Sequence, residues 1–90
     1  MAAAKPYRIL IVDDHAIVRE GLKLILADVE DIVVAGEADC SSRALQMARL
    51  EPWDLVLMDI SMPDRNGLET LELLKKEHPG IKVLMLSMYR

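Results

Sequence analysis

LVLMDISMPDRNGLE, residues Leu55 to Glu69, runs four apolar residues directly into a carboxylate, Asp59, and follows it with Met62-Pro63 and Gly67. An apolar run of this length predicts a buried strand. Its acidic end has two readings. The acid starts the next helix as a cap, or it is presented at the strand end because it carries out chemistry. The neighbouring runs separate the two.

Outward from there, Tyr7 to Val12 (YRILIV) is another apolar run, ending at Asp13-Asp14. Its length and β-branched content predict a strand buried on both faces. From about Ala16 to Ala27 the period becomes helical, with Val18, Leu22, Ile25 and Leu26 on one face and Arg19, Glu20 and Lys23 opposite. Asp31 to Gly36 (DIVVAG) reads as a short strand. Asp39 or Ser41 then caps a helix to about Leu50, with Ala44, Leu45 and Ala48 as a thinner apolar stripe and Pro52 beyond it. Asp54 to Met58 is the third strand. Leu68, Leu71 and Leu74 define a helix that closes on Lys75, Lys76 and His78, a charge placement that suits the helix dipole, before Pro79-Gly80. Ile81 to Leu86 (IKVLML) is a fourth strand. Strand and helix alternate three times and a strand follows, with crossovers of about twenty residues. This pattern predicts a parallel sheet with helices on its faces.

The totals exclude several classes of function. Ninety residues suit one domain, 52% apolar content argues against disorder, and 29% charged residues keep the surface polar. The net charge is −4 with no basic stripe, so nucleic acid is not an expected direct partner. The lone Cys40 has no internal partner and suits a reducing cytoplasm. Neither Met1 to Lys5 nor any later segment has the apolar length of a signal peptide or a membrane span, so a cytoplasmic domain with no membrane association is expected.

In open parallel sheets, ligands bind at the carboxyl ends of the strands, beside the point where strand order reverses. Asp13-Asp14, Asp59 and Ser87 all fall at such ends. With the first strand between the second and third, the three acids would crowd together. Two like charges about 4 Å apart repel by roughly 4 kcal/mol at an effective dielectric near 20. A proton or a divalent cation must relieve that, and hard oxygen donors favour Mg²⁺ over zinc. A carboxylate in such a site is a nucleophile able to accept a phosphoryl group. Asp14 alone reads equally well as a cap for the first helix. His15 is more simply a solvated residue at a helix start than a ligand. The methionines Met58, Met62, Met85 and Met88 and the indole of Trp53 read as core filling, Cys40 as inert, and Arg43, Arg49, Lys75 and Lys76 as solvated charge.

IVDD (Ile11 to Asp14), LMDISMP (Leu57 to Pro63) with Gly67, and LMLS (Leu84 to Ser87), in this order and each at a strand end, resemble the receiver domain of a two-component response regulator. VDDHAIVREGL and VVAGEA are similar to its NarL/LuxR-type branch. The resemblance implies a flavodoxin-like (CheY-like) α/β fold and a phosphoryl group passed from a histidine kinase to Asp59. It implies Mg²⁺ held by Asp13, Asp14, Asp59 and the backbone carbonyl of Ser61, with Asp13 acting mostly through water. Ser87 would be a switch hydroxyl, and Pro63 and Gly67 would shape the loop. A parent protein of this kind usually carries a DNA-binding output domain.

Members of the family continue through a further helix, strand and helix, which bring a lysine that pairs with the phosphoryl group. On the resemblance, residues 1–90 are therefore expected to form a truncated receiver with no such lysine and no output domain. Its apolar fourth strand would be open to a second copy of the chain. Two other readings remain open at this point. One is a fragment that folds and self-associates without phosphorylation. The other is a phosphohydrolase of the haloacid dehalogenase type, although Ser61 stands where that family has a second Asp.

Overall fold

The computed structural model describes residues 6–60 and 67–86. The four apolar runs form strands β1 (Tyr7–Val12), β2 (Ile32–Ala38), β3 (Leu55–Asp59) and β4 (Lys82–Leu86). All pair in parallel in the order β2-β1-β3-β4, so the first strand does lie between the second and third. Helices α1 (Ala16–Ala27), α2 (Ser41–Leu50) and α3 (Gly67–Glu77) connect them. This is the flavodoxin-like order, with the reversal between β1 and β3.

The central strands β1 and β3 are buried on both faces because helices cover both, whereas the outer strands β2 and β4 are only partly buried. On one face α2 and α3 seat Ala44, Leu45, Ala48 and Leu74 against Leu10, Val12, Val56 and Met58. On the other, α1 sets Leu22 and Leu26 over Ile9, Ile11 and Leu57. Trp53 fills the first core as expected, its indole Nε1 donating to the Met47 carbonyl at 2.9 Å, with the Arg8 guanidinium 4.8 Å from its ring centre. Between α2 and α3, buried Thr70 donates its hydroxyl to Ser41 Oγ at 2.7 Å. Thr70→Val keeps the shape and removes that bond, so it is expected to cost about 1 kcal/mol. An unchanged urea midpoint would show that the bond contributes nothing.

Three local expectations are corrected. Neither Asp39 nor Ser41 caps α2. The cap position is Cys40, with no side-chain cap bond, and Ser41 is buried against Thr70 instead. Ile25 is not on the packed face of α1 and stays 67% exposed. A helix turns about 100° per residue, so a small rotation that brings Arg19 and Lys23 toward the sheet carries Ile25 away from it. Asp31 does not begin β2. It stands in the left-handed region at φ 69°, which Asp tolerates better than most side chains, and its carbonyl accepts the Tyr7 N–H at 2.7 Å.

β2 also carries an irregularity. Ile9 is partnered by Val34 but Leu10 by Gly36, so Ala35 is an extra residue on β2. Ile32 and Val34 face α1, whereas Ala38, of the same parity, joins the core under α2. Past the bulge, Gly36 lies under Trp53 and Met47. Glu37 turns toward α1.

Candidate functional site

Val12 and Met58 are register partners, so the residues that follow them, Asp13 and Asp59, emerge side by side. Both are buried, at 1% and 3% exposure, while Asp14 next to them is open to solvent. The backbone clamps Asp13. Its N–H donates to the Ala38 carbonyl at 3.0 Å, and its own carbonyl accepts from Arg19 Nη1 at 2.6 Å. Asp13 Oδ1 accepts the His15 backbone N–H at 2.7 Å, which turns the chain into α1. His15, rather than Asp14, occupies the cap position of that helix.

His15, read from the sequence as a solvated residue at a helix start rather than a ligand, stands against the acid cluster. Its Nδ1 lies 2.9 Å from Asp13 Oδ1 and 3.1 Å from Asp14 Oδ1, although the side chain stays 60% exposed. One donor atom from each of Asp13, Asp14, His15 and Asp59 lies within 4.8 Å of the others. The hydrogen bond to Asp13, followed by the charge of Asp14, holds the imidazole above its ordinary pKa.

Asp13 Oδ2 is buried with no hydrogen-bond partner among the described residues. Leaving a charged oxygen in that state costs at least about 1–3 kcal/mol. A cation seated among these carboxylates offsets that cost and relieves their mutual repulsion. The donor set therefore fits a divalent ion.

Gly67 stands behind Asp59. A Cβ at this position would meet the Asp59 carbonyl oxygen at 2.7 Å and Ile60 Cα at 2.8 Å, and the Gly67 N–H donates to the Ile60 carbonyl at 2.6 Å. Only the absence of a side chain lets the start of α3 close on the end of β3. Ser61, Pro63 and Ser87 lie outside the described residues.

Beside the cluster is a charge network that the sequence reading placed on the solvent face. Arg19 Nε and Lys23 Nζ reach the two oxygens of Glu37 at 2.8 and 2.6 Å. The signal in the sequence was the four-residue spacing of Arg19 and Lys23 together with the lone acid inside β2. First Lys23 and then Arg19 hold the Glu37 carboxyl below its ordinary pKa. A carboxyl depressed in the fold contributes stability above its unfolded pKa, about 4.3, and loses it as pH falls through the folded value. Glu37→Gln should therefore lower the urea midpoint at pH 7, with the gap closing in acid below that window. A gap of equal size at pH 7 and pH 3 would remove Glu37 from the acid response.

The sequence profile of the response regulator receiver domain matches residues 9–90. The chain belongs to the response regulator receiver domain family. Its receiver domain is 44% identical over 80 residues to the response regulator GacA of Pseudomonas aeruginosa, covering 89% of this chain and 37% of GacA. The receiver of NarL from Mycobacterium tuberculosis matches with a TM-score of 0.88 and 28% identity over 97% of this chain and 70% of that one. RcsB from Salmonella enterica serovar Typhimurium, bound to promoter rprA in the presence of the phosphomimetic BeF₃⁻, matches with a TM-score of 0.86 and 26% identity over 93% of this chain and 71% of that one. These likenesses place the receiver in the NarL/LuxR-type branch with a CheY-like sheet. The chain spans little more than a third of the length of GacA, 37%. Among the described residues, no helix of the receiver is long and apolar enough to cross a membrane.

Proposed function

We propose that this receiver domain accepts a phosphoryl group on Asp59 from a histidine kinase, with Mg²⁺ held by Asp13, Asp14, Asp59 and the backbone carbonyl of Ser61. The observation that carries the reading is the convergence of buried Asp13 and Asp59 with Asp14 at the strand ends, with one buried oxygen left for a cation. The use of a phosphomimetic on the related RcsB is consistent with it.

A carboxylate oxygen of Asp59 bonds to phosphorus as the donor's bond to phosphorus breaks and the leaving group departs with the electron pair. When bound, Mg²⁺ neutralises the charge on the phosphoryl oxygens. Asp13, pinned by Ala38 and Arg19, keeps its carboxylate aimed at the site without reorganisation. Gly67 holds the backbone behind Asp59 in place. On this reading Ser87 would donate a hydrogen bond to the attached phosphoryl group, and Pro63 would shape the loop from Asp59 to Gly67. The domain itself turns over no external substrate. It signals, in a cytoplasmic protein that regulates transcription through a separate DNA-binding domain, a reading in keeping with the structure of the related RcsB bound to promoter rprA.

Incubation with acetyl phosphate followed by intact-mass measurement tests this. One phosphoryl group added only in the presence of Mg²⁺, and removed by hydroxylamine as an acyl phosphate should be, is the expected result. No addition, or addition independent of Mg²⁺, would overturn the reading and leave a domain that folds and associates without phosphorylation.

A second copy of the chain is the partner that suits β4. The strand ends the sheet order, has no neighbour on its far side among the described residues, and leaves Leu84 53% exposed. Gel filtration is expected to show the elution volume falling as concentration rises. A single monomeric volume at all concentrations would exclude it.

A further inference from the structure

We propose that His15 adds an imidazole nitrogen to the carboxylate site, so that it also takes a first-row transition cation of the Co²⁺ or Zn²⁺ class and holds it more tightly than oxygen donors alone would. The inference rests on the reading of Asp13, Asp14 and Asp59 as cation ligands and adds a donor of a different chemistry.

Three observations lead there. The first is spacing. Two ligand atoms bound to one ion at about 2.0–2.2 Å lie roughly 2.8–3.6 Å apart for octahedral to tetrahedral angles. His15 Nδ1 sits 2.9 Å from Asp13 Oδ1 and 3.1 Å from Asp14 Oδ1, inside that range on both sides. The second is the orphaned, buried Asp13 Oδ2, which belongs to a carboxylate whose other oxygen faces the ring. The third is fixation. The His15 backbone N–H is bonded to Asp13 and its carbonyl receives the Arg19 N–H of the first turn of α1 at 3.1 Å, so the ring hangs from an ordered cap residue. With 60% of the side chain exposed, an ion can enter from solvent without the fold opening.

The chemistry favours borderline cations. Mg²⁺ prefers oxygen and gains little from a nitrogen donor. Imidazole suits cobalt, nickel, copper and zinc, and affinity rises along that series to copper. Carboxylates alone already favour those metals somewhat, so the signature of His15 is the change in selectivity when the ring is removed. A histidine that merely pairs with the two acids would leave that selectivity untouched.

Equilibrium dialysis and titration calorimetry with Co²⁺ and with Mg²⁺ read this on the untagged chain, His15→Ala and His15→Gln. His78→Ala controls for the only other histidine. Loss of the ring is expected to lower the Co²⁺-to-Mg²⁺ affinity ratio ~10-fold in both His15 variants, with Mg²⁺ affinity within about two-fold and no change in His78→Ala. In the His78→Ala background, pulsed EPR of bound Cu²⁺ should show imidazole nitrogen coupling that disappears on His15→Gln. A ratio that does not move in a folded His15 variant, or a coupling that survives, overturns the assignment. If the chain still accepts phosphate on Asp59 with Mg²⁺, only the His15 inference has failed. A chain that binds neither cation loses the cation reading and this inference together.

Discussion

Asp59→Asn is expected to take up no phosphoryl group from acetyl phosphate at any Mg²⁺ concentration, and to melt no lower than the unaltered chain. The amide keeps the size and planarity of the carboxylate at a position only 3% exposed, so packing is preserved. It removes the proposed nucleophile, because an amide at neutral pH has no anionic oxygen to bond to phosphorus. It also removes one of three like charges converging within 4.8 Å. The full repulsion of a pair about 4 Å apart at an effective dielectric near 20 is roughly 4 kcal/mol, and the solvated side of this cluster dissipates most of it. A gain of about 1–2 kcal/mol in the absence of divalent ions is the expected remainder, measured by urea denaturation and shrinking as Mg²⁺ is added. Phosphoryl uptake in Asp59→Asn would place the acceptor elsewhere. A large loss of stability would mean that Asp59 is a structural anchor of β3 before it is anything else.

The second large effect is expected at Gly67. An alanine methyl there would sit 2.7 Å from the Asp59 carbonyl oxygen and 2.8 Å from both the Ile60 Cα and carbonyl oxygen, all backbone atoms. Backbone cannot swing aside as the end of a side chain can. Overpacking of ordinary cores costs about 1–3 kcal/mol, and Gly67→Ala should lie at or above the top of that range. Gly36→Ala is the informative comparison. Its added methyl meets Met47 Cε and a Trp53 ring carbon at 2.7 Å, and the flexible methionine at least can yield. The same substitution at the two glycines should therefore differ, with Gly67→Ala also lowering acetyl-phosphate labelling because the displaced backbone belongs to the proposed acceptor, Asp59, and to Ile60 beside it. A Gly67→Ala chain that melts and labels like the parent would remove Gly67 from the site.

That Asp13 and Asp59 meet rests on the β2-β1-β3-β4 order, which the sequence reading only supposed, but the element order, the parallel sheet and the placement of the three acids at one edge were legible in the sequence. Each follows from short-range pattern. Apolar runs of strand length alternate with helical periodicity, and long crossovers make neighbouring strands parallel, so strand ends carrying acids must share an edge. Gly67 was legible as a loop residue, but the reason for it was not, since the clash it avoids is with Ile60 and Asp59 on the far side of a connection.

What the sequence alone determined, then, was the architecture and the edge where chemistry can occur, because both depend on periodicities carried within single segments. Tertiary structure decided which way particular side chains turn. The extra residue at Ala35 inverts the alternation of β2, setting Gly36 under Trp53 and Glu37 toward α1. Glu37 then holds Arg19 and Lys23 on the sheet side, and the helix rotates Ile25 out to solvent. In each case the deciding contact joins residues whose relative orientation no local pattern encodes, since a one-residue bulge or a fraction of a helical turn reverses the face presented.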